Sequence, residues 1–488
     1  MLFRITFIIG YGGSLIPTLV SVLKDLEQKY RFEYKIITPY RFSEKDIPFI
    51  KQSDLVFIYS HKLPDEIENI LEKIRSQIKV IGIDENHIHL TNTSNYVLDL
   101  AMRYLKYGGK ENLYSLVLLL LREIGYRDIE PASPKELPWH SIYHPCYGVF
   151  NSIMEYFKEY PYSRRPLVGI LFYRSDWIYG RTVIVDKLIE KLENIGLGVV
   201  PVFTYSFRDK FLNTPHTEDS IKEFFFLNGK PIIDALVNLT SFFITDHGPS
   251  REWAKTSRLS SGLEILKKLN VPIIQCLITY SKTLDEWLRD PRGVDYMTIV
   301  YRIIMPEIDG AIEPIIVSCS KIDDYGGKQL IPIDDHIEYV ASRIGKWIEL
   351  RMKKPWKRKV AIILMNPPCK GLEANVAIGL GLDVPESIVS LLHRLKQEGY
   401  YVGEDLPRNG EELIKIIMSK KAISEFRWTS VEEIVSRGGA LDFVDAEKYL
   451  KWFLELPPNV RKAMVEEWGD PESILSGRDN HGLAGMVF

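Results

Sequence analysis

The stretch LVGILFYRSDWIYGR, Leu167–Arg181, decides how this chain is expected to fold. Its first half is an unbroken apolar run, the pattern of a strand covered on both faces. At Tyr173 the run breaks into Arg174, Ser175, Asp176 and Trp177, and the stretch that follows, VDKLIEKLENIG, has helical spacing. A buried strand that leads into a helix is the unit of a parallel sheet. In such sheets ligands gather at the carboxyl ends of strands, where loops converge and helix amino ends point N–H groups into the crevice. The polar cluster therefore stands where a binding site is expected.

The same alternation extends in both directions. Over residues 1–130, the runs FRITFII, YKIIT, DLVFIYS and KVIGID alternate with helix-period segments such as PDEIENILEKIRSQI, which predicts an amino-terminal α/β domain. Six prolines between 131 and 166 (Pro131, Pro134, Pro138, Pro145, Pro161 and Pro166) mark a connector over 131–165, with one helix expected at YGVFNSIMEYFKEY. A second α/β domain, 166–352, runs through LGVVPVFTY, ALVNLTSFFIT and VPIIQCLIT and closes with the helix DDHIEYVASRIGKWIELRM. A third unit, 353–488, opens at KVAIILMN. It enters a helix where Asp383 caps, Pro385 sits in the first turn and Glu386 lies three residues after the cap, and it ends in a helical tail. The expected class is α/β: several doubly wound parallel-sheet units of Rossmann or flavodoxin type with a helical carboxyl-terminal segment.

Composition narrows the function. The net charge of -3 supplies no field for a polyanion, and no basic stripe interleaved with aromatics occurs, so nucleic acid is not an expected partner. The basic run RMKKPWKRK (351–359) reads as a solvated linker. Cys146, Cys276, Cys319 and Cys369 fit no zinc or redox spacing and read as reduced thiols, in keeping with cytoplasm. Glycines interrupt the apolar amino terminus, and LVLLLL at 116–121 is far shorter than the roughly 20 residues a spanning helix needs, so no membrane span is expected. No Walker A loop, H-E-x-x-H, G-x-S-x-G or C-x-x-C motif occurs.

Several residues could carry chemistry. Arg174 suits a carboxylate, Tyr173 and Trp177 offer stacking faces, and Ser175 or Asp176 could meet polar N–H groups; an Arg–Asp pair with a capping residue and a packed indole is the alternative. His87 and His89, two apart in GIDENHIHL, would face one side of an extended segment and could hold a divalent metal. His247 follows Asp246 at the end of an apolar run, as an oriented base or metal ligand would, or as a loop histidine satisfied by backbone. Glu307 and Asp309 could hold a cation or accept protons from a bound ligand, or Asp309 could cap a turn. Asn366 lies in the rigid exit MNPPCKG.

In order along the chain, YLKYGGKENL (104–113), IYHP (142–145), RPLVGILFYRSDWIYG (165–180), NVPIIQCL (270–277), MPEIDGAIEP (305–314), KVAIILMNPP (359–368), GLDVPESIVSLLHRLKQEGY (381–400) and LPPNVRKAMVEEWGDPE (456–472) resemble the amino-terminal portion of the large subunit of ATP-dependent tetrapyrrole metal chelatases. This is the family of CobN of cobaltochelatase and the H subunit of magnesium chelatase, and the cobalt branch fits better. The resemblance implies a tetrapyrrole substrate and a divalent metal substrate, cobalt rather than magnesium, in cobalamin biosynthesis. It also implies AAA+ and integrin-like partner subunits that hydrolyse ATP, which agrees with the missing Walker A loop. As tetrapyrrole-binding candidates it implies Tyr173, Arg174, Ser175, Asp176, Trp177, His144, Glu307, Asp309 and Asn366. It assigns no catalytic residue. Family members continue beyond GLAGMVF, so the expectation is a chain completed by a second polypeptide, a truncated subunit, or a shortened paralogue that binds tetrapyrrole or partners without catalysis. A hinged α/β small-ligand protein outside the family is a further reading.

Overall fold

The β-branched and aromatic runs Leu167–Tyr173, Gly198–Thr204, Ala235–Asn238 and Ile273–Ile278 form strands covered on both faces. The structure is a computed structural model that describes residues 2–10, 14–205, 209, 212–245, 261–364, 379, 381–419, 435–436, 443–471 and 486–487. It has two compact units, Met1–Glu349 and Leu350–Phe488.

In the first unit, β1 (Phe3–Ile9), β2 (Phe32–Ile37), β3 (Leu55–Tyr59) and β4 (Lys79–Gly82) make a parallel sheet ordered β2-β1-β3-β4. Alternate residues of β1 serve opposite faces, as strand geometry requires. Ile5, Phe7 and Ile9 pack with the helices Ile16–Glu27, Asn95–Tyr107 and Lys110–Ile124, whereas Ile8 joins Ile67 and Leu71 of the helix Asp65–Ile74. The chain leaves β1 for β2 on one side and then crosses to β3 on the other, so the order reverses at β1.

The second sheet contains β5 (Ser141–His144), β6 (Gly148–Phe150), β7 (Leu167–Tyr173), β8 (Gly198–Thr204), β11 (Ala235–Asn238), β12 (Ile273–Ile278), β13 (Ala311–Ile322) and β14 (Lys328–Pro332). A small hairpin, β9 (Phe226–Leu227) with β10 (Lys230–Pro231), stands apart. The order is β14-β13-β12-β11-β7-β8-β5-β6. Strands β13, β12, β11, β7 and β8 run parallel, and antiparallel strands finish both edges. The chain passes from β7 to β8 on one side and returns to β11 on the other. The quoted stretch thus ends at a second reversal point. Ile337, Val340, Ile344 and Ile348 of the helix Asp334–Met352 join the core of this sheet.

Two local expectations change. YGVF is not helical: Gly148–Phe150 is the edge strand β6, and the helix, Ile153–Glu159, starts only after Ser152, whose hydroxyl accepts from the Met154 N–H. The run KVAIIL (359–364) has no regular structure and Ile363 is 93% exposed; among the described residues no strand lies beside it to cover it. In the second unit Asp383 does cap the helix Val384–Gln397, accepting from the Glu386 N–H at 3.1 Å. The Glu386 carboxylate in turn receives the Gly410 N–H at the start of the helix Gly410–Ser419. The helices Ala446–Glu455 and Pro458–Trp468 form the helical tail.

At the exit of β1, Gly10 donates its N–H to the Tyr59 carbonyl, and a Cβ there would fall 2.0 Å from Ser60 Oγ and 2.7 Å from Ser60 Cβ. Gly10→Ala should cost about 1–3 kcal/mol by overpacking. Urea unfolding of Gly10→Ala and of Gly10→Ala/Ser60→Gly should show part of that loss recovered in the double variant.

Candidate functional site

Both reversal points open into one cavity of ≈ 770 Å³ within the first unit. From the first sheet come Ser14 and Leu15 after β1 and Tyr59 at the end of β3, joined by Leu105 and Lys106 of the helix Asn95–Tyr107. From the second come Tyr173, Thr204 and Tyr205, Ser241 and Phe242, and Tyr280 and Ser281, each at or just past the carboxyl end of β7, β8, β11 or β12. The placement follows the rule for open α/β sheets, in which ligands sit where strand order reverses.

The cluster after β7 divides its labour. Arg174 is only 2% exposed, and its guanidinium donates to the carbonyls of Pro138 (2.7 Å), Tyr107 (2.7 Å), Leu137 (3.1 Å) and Lys106 (3.3 Å), with Cζ 4.4 Å from the Trp139 ring centroid. Burial pushes it down to about 10, so it stays charged at neutral pH. Its hydrogen bonds go to protein carbonyls and its partner is not Asp176, although the side chain also borders the cavity. Trp177 stacks on Phe203 at 4.3 Å and 6°. Tyr173 faces the cavity, its hydroxyl accepting from the Ser241 N–H at 2.8 Å. Ser175 and Asp176 also line it. Burial raises the Asp176 carboxyl, opposed by Arg181 and Arg302. Its ion pair is with Arg181, at 3.6 Å.

The other candidates lie elsewhere. His144 is buried in β5, its Nδ1 accepting from the Cys146 N–H, which leaves Nε2 to carry the proton toward Glu193 at 3.2 Å. Burial holds it below the ordinary histidine value, against the pull of Glu193. Asp309 is buried and accepts from the N–H groups of Ile244 (2.7 Å) and Thr245 (2.9 Å), so it caps a distant loop and not its own turn. Glu307 is exposed. His87 and His89 flank and enter the 3₁₀ turn Ile88–Leu90, not an extended segment, so their rings do not share one side: His87 is buried and His89 is half exposed beside Glu68. Among the described residues no group of three or more His, Cys, Asp or Glu could hold a metal. Asn366 and His247 lie outside the described residues.

Sequence reasoning missed Arg181, Tyr280, Arg302 and Lys328, all of which line the cavity. Tyr280 was findable, because it follows a strand end. Arg302 lies in a π-helical turn, Val300–Ile304, that no local pattern announces. Lys106, also in the lining, is bound to Asp209 at 2.6 Å.

Fold and cavity together define a doubly wound α/β binding scaffold with a basic, tyrosine-rich pocket. Residues 102–488 match the family model described as CobN/Magnesium Chelatase, and the chain belongs to that family. It is 35% identical to an uncharacterised protein of Methanocaldococcus jannaschii over 99% of this chain and 37% of that one. It is 24% identical to the aerobic cobaltochelatase subunit CobN of Pseudomonas aeruginosa (87% of this chain, 32% of that one) and 27% identical to the H subunit of magnesium chelatase from Rhodobacter capsulatus (72% and 29%). The catalytic subunit of cobaltochelatase from Mycobacterium tuberculosis shares the fold with a TM-score of 0.58 at 19% identity, over 99% of this chain and 37% of that one. The chain thus spans roughly a third of the length of these relatives.

Arg174→Ala should destabilise the first unit by about 3 kcal/mol or more, because it takes a donor from four buried or part-buried carbonyls. Arg174→Lys should not restore the loss, since an ammonium cannot reproduce the planar fork. Urea denaturation measures both.

His140, in contact with Glu223, and His144 are both held below 6.5 by burial, with the neighbouring carboxylates opposing. The unfolded chain then binds more protons than the folded one as pH falls below about 6.5, so stability is full above that pH and declines below it. Chemical unfolding at pH 7.5 and pH 5 should show the decline, and His144→Gln should flatten part of it.

Proposed function

We propose that this chain is the tetrapyrrole-binding part of a CobN-like chelatase large subunit. The divalent metal substrate is cobalt, the setting is cytoplasmic cobalamin biosynthesis, and AAA+ and integrin-like partner subunits hydrolyse the ATP. The single observation that carries this reading is the cavity at the paired reversal points. Its ≈ 770 Å³ falls within the range of about 300–1,000 Å³ typical of pockets for organic ligands. Its tyrosines Tyr59, Tyr173, Tyr179, Tyr205, Tyr280 and Tyr301 offer flat faces for a macrocycle. Tyr173, Ser175 and Asp176 are the ligand contacts in the strand-end cluster, while Arg174 holds the frame behind them.

Metal insertion removes the inner pyrrole protons and bends the ring as the cation enters. Groups for the proton transfer and metal delivery would come from a further segment or polypeptide, in keeping with the share of the relatives that this chain spans. One observation favours a second reading, a non-catalytic tetrapyrrole-binding or partner-binding module of the same family. Both carboxylates of the cavity are engaged, Asp176 with Arg181 and Asp295 with Ser281 and Thr298.

The purified chain should bind metal-free hydrogenobyrinic acid diamide, or protoporphyrin, with a dissociation constant of about micromolar order. Met297→Trp, which fills the lining from an exposed position, should weaken binding by about tenfold or more. Absorbance titration of folded protein that binds neither ligand overturns the proposal. Cobalt insertion by the chain when supplied with the polypeptide that completes the subunit and with partner ATPase subunits favours the first reading; retention of metal-free ligand in that full mixture favours the second.

A further inference from the structure

We infer that Arg181, Arg302 and Lys328 form a carboxylate-recognition site on one side of the cavity, so that its ligand is a polycarboxylate read through its acid groups. The three cations surround a single ring: Arg302 Cζ lies 5.1 Å, Arg181 Cζ 5.7 Å and Lys328 Nζ 5.8 Å from the Tyr280 centroid. They come from three different elements. Arg181 follows the helical turn after β7, Arg302 stands in the π-helical turn Val300–Ile304, and Lys328 begins β14. In a chain of net charge -3 this is a local surplus, three cations against Asp176 and Asp295.

Two observations point to a ligand. The Arg181 side chain is only 9% exposed, yet its buried Nε and Nη2 have no hydrogen-bond partner, and the contact with Asp176 at 3.6 Å is an ion pair beyond hydrogen-bond length. Buried donors of this kind are normally satisfied, and leaving them unmet is costly. A carboxylate would supply the missing acceptors in the bidentate geometry that a guanidinium fits. The second observation is mutual repulsion. Burial and the nearby Arg181 push the Lys328 ammonium down, only partly relieved by Asp295. Arg302, 5% exposed, makes a hydrogen bond to the Leu239 carbonyl at 3.2 Å, which fixes its position without neutralising it. An anion placed among the three relieves the repulsion as well as the donor deficit. Phosphate shares the charge, but the flat tyrosine faces favour acid groups carried on a broad organic body.

The inference rests on the cavity being the ligand site; it does not require the ligand to be a tetrapyrrole. Coproporphyrin and its tetramethyl ester serve as one probe pair, and citrate, followed by thermal shift, as the second probe. The free acid should bind about tenfold or more tighter than the ester, and Arg181→Gln and Lys328→Gln should each remove most of that difference while leaving ester affinity near wild type. Equal binding of acid and ester, or variants that weaken both alike, would overturn the carboxylate site and leave the tetrapyrrole reading standing. If neither porphyrin binds, and hydrogenobyrinic acid diamide and protoporphyrin do not bind either, the tetrapyrrole reading fails. In that case stabilisation by citrate that is lost in both variants supports the carboxylate site, and no stabilisation overturns it. Lys328 is partly exposed at a strand edge, so its variant remains informative should Arg181→Gln perturb folding.

Discussion

A single buried guanidinium organises the first unit. Arg174 stands at the end of the central strand of the larger sheet and gathers carbonyls from the end of the helix Asn95–Tyr107 and from the proline-rich connector. Carbonyls at a helix end or in a proline-interrupted chain lack the regular donors of a helix interior or a sheet, and a planar fork of N–H groups can serve several at once. The bonds tie the end of the helix Asn95–Tyr107 and the connector to the strand end of the larger sheet. The two reversal points are thereby brought to a common cavity, and the rest of the site depends on that junction.

The cavity built this way is electrically uneven. Charges engaged in structure lie on one hand: Lys106 with Asp209, Arg174 with carbonyls, and Asp295 with Ser281 and Thr298. For Asp295, burial opposes the charge but the hydroxyl and N–H bonds outweigh it and hold the carboxyl below its usual range. Charges whose needs the protein meets only in part lie on the other, around Tyr280. A folded protein tolerates such a deficit most readily where a ligand makes it good, and local inconsistency of this kind is what binding sites show. The wide helical turn that carries Arg302 is of the same character, since π-helical turns occur frequently at functional positions.

Much of the fold was legible in the residues. Runs such as FRITFII, PLVGILFY and VPIIQCLIT declare buried strands through composition and length, and the Asp383-x-x-Glu386 cap marks a helix start to the residue, because these signals depend on neighbours a few positions away. The family, too, could be read from motifs that follow in order from Tyr104 to Glu472, and a family model matches residues 102–488. Where the reading slipped, the deciding partner was remote. YGVF became an edge strand because β5 offered it a neighbour, whereas KVAIIL is irregular and has no strand beside it among the described residues. His87 and His89 lost a shared face to a local turn.

By itself, then, the sequence determined that this is an α/β chain of the chelatase large-subunit family, with polar residues ending a buried strand at Tyr173. Only the tertiary structure decided what each of those residues does. It turned Arg174 inward to hold the frame, seated Trp177 against Phe203, and assembled Arg181, Arg302 and Lys328 from three separate elements around Tyr280. The physical reason is range. Burial periodicity and helix capping act over a few residues, whereas the acceptor a guanidinium finds, and the field in which a charge sits, are set by groups that meet only when the sheets close.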